Sequence, residues 1–75
     1  MNVTLVNDDP FGNNFRVTDN NAGGAVIFNS YIDAHGEVSV SIQANGAGYG
    51  NITTYQDNNS GVGRSFLHDG DRISL

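Results

Sequence analysis

The 75 residues predict an all-β domain: a small antiparallel β-sandwich, or a partly closed barrel, with two pseudo-symmetric halves. Three observations carry that prediction. Apolar and polar residues alternate with a period of two. Corners rich in Asn, Asp and Gly recur roughly every ten residues. One stretch of the first half returns in the second.

The alternation is clearest in Glu37-Val38-Ser39-Val40-Ser41-Ile42-Gln43, where Val38, Val40 and Ile42 share one face and the polar residues the other. Val3 and Leu5 alternate within residues 2–6, and Phe15 and Val17 within 14–18. Residues 25–32 are denser in apolar side chains, and Ile52–Tyr55 is rich in β-branched and aromatic types. Phe66-Leu67 and Ile73-Ser74-Leu75 complete a set of six to eight strands. The expected core is Val3, Leu5, Phe15, Val17, Val26, Phe28, Val38, Val40, Ile42, Ile52, Phe66, Ile73 and Leu75.

Between these runs lie Asn7-Asp8-Asp9-Pro10, Asp19 to Gly24, Ala34-His35-Gly36, Asn45 to Gly48, Asp57 to Gly61 and Asp69-Gly70. Asn, Asp and Gly tolerate the positive φ angles of tight turns, and Asx side chains bond to the backbone two residues on. No stretch combines a 3.6-residue period with good helix formers.

Residues 11–23 align without gaps to 49–61 and share six identities: Gly12/Gly50, Asn13/Asn51, Asp19/Asp57, Asn20/Asn58, Asn21/Asn59 and Gly23/Gly61. Duplicated units are supersecondary pieces that cannot bury their own apolar face and need a neighbour. The expectation is one domain spanning 1–75, with an internal repeat of about 1–37 and 38–75.

Composition narrows the function. The net charge is −5, there is no Lys, and the only cations besides the terminus and the two His are Arg16, Arg64 and Arg72. A nucleic-acid binder needs a basic footprint to displace counterions, so nucleic acid is not expected as a partner. No apolar run approaches bilayer length and no leader pattern is legible, so membrane insertion is not expected. With no Cys, neither a disulfide nor a thiolate metal site exists. A domain this small buries a modest share of its surface and often leans on a partner subunit. The last residues, Ile73-Ser74-Leu75, add an apolar strand with no charged residue to blunt its edge.

Enzyme activity is not expected. Gly63-Arg64-Ser65-Phe66-Leu67 lacks the second Gly of a nucleophile elbow, and there is no Lys for Schiff-base chemistry. His35 and His68 sit in turns without a metal-binding spacing. A small hydrolase using either of them beside a carboxylate is the weakest of three readings. No motif requires a cofactor. Calcium is the one metal whose oxygen-ligand chemistry suits the loop aspartates Asp8, Asp9, Asp19, Asp57, Asp69 and Asp71, although Asx-turns account for them without an ion.

The leading reading is a non-catalytic interaction or assembly module, working as a homo-oligomer or on a protein partner. The alternative is a lectin-like carbohydrate-binding module, calcium-assisted or not. Sugars are held by amide and carboxylate hydrogen bonds beside an aromatic face. The residues of that kind in the repeated loops are Asn13, Asp19, Asn20, Asn21, Tyr49, Asn51, Asp57, Asn58 and Asn59.

Overall fold

The structure is a computed structural model that describes residues 1–57 and 59–75. Seven strands form: β1 (Asn2–Val6), β2 (Asn13–Asp19), β3 (Ala25–Ile32), β4 (Glu37–Ser41), β5 (Gly50–Gln56), β6 (Val62–Leu67) and β7 (Arg72–Ser74). One 3-10 turn, Asn20–Ala22, follows β2. No helix among the described residues is long and apolar enough to cross a membrane.

The strands make two sheets, one ordered β4-β1-β7 and the other β3-β2-β5-β6. Two sheets are what the expected sandwich requires, and among the described residues no strand pairing joins them. One pair departs from the antiparallel rule. β1 and β7 run parallel, Leu5 opposite Ile73, while β4 lies antiparallel on the other side of β1 with Val3 opposite Val40. β7 must cross from the four-stranded sheet to reach a free edge of β1, and only the flank opposite β4 is open. In the larger sheet two hairpins, β2–β3 and β5–β6, meet along β2–β5, where Val17 faces Thr54.

Val3, Leu5, Val40 and Ile73 from one sheet pack against Phe15, Val17, Ile32, Ile52 and Leu67 from the other, with Ile42 at the rim. Burying each large apolar side chain contributes roughly 1.5–3 kcal/mol before conformational entropy is set against it. Val38, Phe28 and Leu75 flank the core, partly buried.

Two expected core residues lie outside. Val26 is 54% and Phe66 73% exposed, and Ile32 and Leu67 take their place. Both reversals come from bulges. Between Val17 and Thr18 the register shifts, so Phe28 faces Val17 while Val26 faces Thr18; the extra residue, Ile27, packs against the core and Val26 turns out. In β6, Gly50 pairs with Leu67 but Ile52 with Arg64, which leaves an extra residue. Phe66 takes φ +58° there, a left-handed conformation rare for a large side chain, and projects into solvent.

Glu37 at the start of β4 and Arg72 at the start of β7 pair diagonally across β1, with Arg72 Nη1 donating to Glu37 Oε1 at 2.9 Å. The Arg72 hydrogen bond holds the Glu37 carboxyl below its ordinary range, and the same pairing raises Arg72.

Candidate functional site

Five of the sequence-selected residues meet at one end of the larger sheet. Asp19 ends β2, is 1% exposed, and caps the following turn: one carboxylate oxygen accepts from the Asn21 backbone N–H (3.1 Å) and the other from Gln43 N–H (2.8 Å). Gly23 closes the turn at φ +69°, a geometry suited to glycine. Asn21 donates to the carbonyls of Gln43 and Tyr49, at 3.0 and 3.1 Å. Asn20 reaches over β5 to Asn51 Oδ1 and Thr53 Oγ1, both at 3.0 Å. Asp19 and Asn21 are thus spent on clamping the β4–β5 loop, whereas Asn20, Tyr49 and Asn51 keep faces toward solvent.

Asn13, Asp57 and Asn59 lie at the opposite end, because β2 and β5 run antiparallel. Asn13 donates to Asp9 Oδ2 at 3.3 Å, an acceptor shared with Gln56 Nε2. Asp57 and Asn59 are exposed, Asp57 at φ +50°. Asn58 lies outside the described residues. The members of the pairs Asn13/Asn51 and Asp19/Asp57 stand at opposite ends of the sheet, and Asp19 is buried where Asp57 is exposed.

Burial of Gly50, Ile52 and Thr54 turns Tyr49, Asn51, Thr53 and Tyr55 onto the outer face of β5. Tyr49 packs edge to face with Phe66 (5.5 Å between centroids) and with His68 (5.2 Å). Tyr55 carries the Arg16 guanidinium 4.0 Å above its ring. Residues 61 and 63 opposite are glycines, and a Cβ on Gly61 would sit 2.6 Å from the Tyr55 ring.

The two outer strands of this sheet differ sharply. Each leaves one row of backbone N–H and C=O groups unpaired by any described strand. β3 is the longest strand, eight residues, Ala-Val-Ile-Phe-Asn-Ser-Tyr-Ile, with no charge, Pro or Gly. Val26 and Tyr31 are 54% and 55% exposed along it. β6 is interrupted by Gly63, Arg64 and the bulge at Phe66. Of the features that blunt strand edges, β6 has a cation, a glycine and a bulge, whereas β3 has only the bulge at Ile27, with no charge or Pro.

A cavity of about 110 Å³ opens between the sheets at the Asp57 end, lined by Phe15, Thr54, Gln56, Ser60, Val62, Arg64 and Leu75 among others. Arg64 faces inward with its pairing partner Ile52. Its Nε is buried without a hydrogen-bond partner among the described residues, which costs about 1–3 kcal/mol for a desolvated donor.

Three further loop aspartates accept hydrogen bonds from the protein itself. Asp69 accepts from Asn2 N–H, Asp71 from His68 N–H, and Asp8 from the Ser74 hydroxyl. Among the described residues no three His, Asp or Glu side chains converge to hold a metal ion. His35 and His68 are exposed, and His68 lies 3.8 Å from Asp71.

Sequence reasoning missed two polar residues. Asn7 is fully buried; its amide donates to the carbonyls of Phe11, Ile32 and Asp33, and its oxygen accepts from Asp9 N–H. Its only signal was a turn sequence, Asn-Asp-Asp-Pro. Arg64 carried a clearer one, a lone charge in the run Val62-Gly63-Arg64-Ser65-Phe66-Leu67. Compared against protein families, curated proteins and solved structures, the chain matches none.

Proposed function

We propose that this domain is a non-catalytic assembly module whose copies join edge to edge through β3. The observation that carries the reading is the open, uncharged eight-residue edge of β3 beside a β6 edge that is kinked and charged. The partner that fits is a second copy. Antiparallel pairing of β3 with itself about a two-fold axis is self-complementary, and it extends two four-stranded sheets into one continuous sheet. In a chain of net charge −5, β3 is also a stretch where two copies meet without opposing carboxylates on the paired strands. Phe11, 74% exposed, and Tyr31 add apolar area beside the seam.

Sedimentation equilibrium tests this. The native chain is expected to be a dimer at micromolar concentration. Asn29→Lys, placing a charge on exposed β3, shifts it to monomer with an unchanged circular dichroism spectrum. Ser65→Lys on β6 leaves the dimer intact. A native chain that stays monomeric across the concentration range overturns the reading.

A second reading, carbohydrate binding, is favoured by the outer face of β5. There the exposed Phe66 ring, held in a strained backbone conformation, stands against Tyr49 and beside the Asn20–Asn51 amides. Strain of this kind concentrates at functional positions. A glycan array probed with the native chain and with Tyr49→Ala separates the readings: hits lost in the variant support a sugar platform, and an empty array removes it.

A further inference from the structure

We infer that the cavity between β6 and the end of β7 binds the carboxylate of a small amphipathic acid, with Arg64 as its anchor. Among the described residues the three arginines have different fates. Arg72 is paired with Glu37, Arg16 lies over Tyr55, and Arg64 has neither an ion pair nor a hydrogen bond, although its Nε is buried. In a chain with eight carboxylate side chains and three arginines, an inward-facing guanidinium left without an acid is a site lacking its acceptor. A guanidinium presents a planar fork of donors that a carboxylate matches with two parallel bonds.

The rest of the wall selects within the anions. Phe15, Val62 and Leu75 supply apolar surface, and the Thr54 and Ser60 hydroxyls supply further polar contacts. At about 110 Å³ the cavity is well below the roughly 300 Å³ of sites for drug-sized ligands. It therefore suits a carboxylate on a short aliphatic chain rather than a sugar ring or a nucleotide. The site is separate from the β3 edge and from the Tyr49–Phe66 face.

Titration of the full chain with sodium butyrate at constant ionic strength, followed by amide chemical shifts, tests this. Acetate and inorganic phosphate serve as parallel probes. The expected result is saturable shifts at Val62, Arg64 and Leu75 with a Kd on the order of 1–10 mM, weaker for acetate, and non-saturating for phosphate. Arg64→Gln abolishes saturation, and Arg64→Lys, which keeps the charge but loses the fork, weakens it about tenfold. Both variants are checked for native amide dispersion first. Butyrate shifts that do not saturate, saturation unchanged in Arg64→Lys, or phosphate binding as tightly as butyrate each overturn the inference.

Discussion

Segments 7–23 and 45–61 share an Asn, an aromatic-Gly-Asn and an Asp-Asn-Asn-x-Gly at matched positions, yet the two stretches do different work. Asn7 is buried and ties three carbonyls; its counterpart Asn45 is exposed and only closes its own loop onto Ala47 and Tyr49 N–H. Asp19 is buried and clamps a distant loop; Asp57 is exposed. Gly12 makes room for the Tyr31 ring, whereas Gly50 lies in the core under Ile42. For the residues in and next to β2 and β5 the cause is parity. The aligned offset is 38, an even number, but β2 buries its odd residues Phe15 and Val17 while β5 buries its even residues Ile52 and Thr54. Since side chains alternate with a period of two, equal letters at an even offset face opposite sides. Likeness of sequence here transmits turn chemistry and not burial.

The sharpest way to break this contrast is at the paired asparagines. Asn7→Ala is expected to cost about 3 kcal/mol, because several buried backbone groups lose their partner, and Asn45→Ala under about 1 kcal/mol. Urea melts read the difference. Equal losses would mean that the two loops carry like weight.

Next come the aspartates. Asp19→Ala removes a cap and leaves Gln43 N–H unpaired, for about 2 kcal/mol and a melting temperature lower by roughly 10 °C. Asp57→Asn, which keeps an Asx residue at positive φ, changes stability by less than about 0.5 kcal/mol.

The glycine under Tyr31 gives a smaller effect. Gly12→Ala places a Cβ 1.8 Å from the Tyr31 hydroxyl, so the half-exposed ring must leave, at about 1 kcal/mol. In a Tyr31→Ala background the same change is expected to cost under about 0.5 kcal/mol, a coupling that a double-mutant cycle measures.

The smallest effect is on the other sheet. The folded Glu37 carboxyl titrates below its unfolded value because Arg72 donates to it. Its contribution is therefore present above the unfolded pKa and is lost as pH falls through the lower folded one. Glu37→Gln should flatten the acid limb of the melting profile slightly, and high salt should mimic it, since the pair is exposed.

Much of the architecture was legible in the residues. Strict alternation marked β4, the dense run marked β3, and the Asn/Asp/Gly corners marked the turns. The faces of Val26 and Phe66 were not legible, because one bulge residue inverts alternation and no local composition signals it. For the candidate residues, sequence grouped Asp19, Asn20, Asn21, Tyr49 and Asn51 with Asn13, Asp57 and Asn59 by likeness. The antiparallel β2–β5 pairing sorts them to two ends. The importance of Asn7 depended on carbonyls 25 and 26 residues away, which only the tertiary fold supplies. The β3 edge was hidden for the same reason, since strand order decides which strand lies outermost.

Backbone hydrogen exchange across β3 as a function of protein concentration tests the edge-pairing account most directly. Outward-facing amides of residues 26–31 are predicted to gain protection as concentration rises through the dimerisation range, while those of β6 stay unchanged. Concentration-independent exchange along β3, at rates like those of β6, would contradict it.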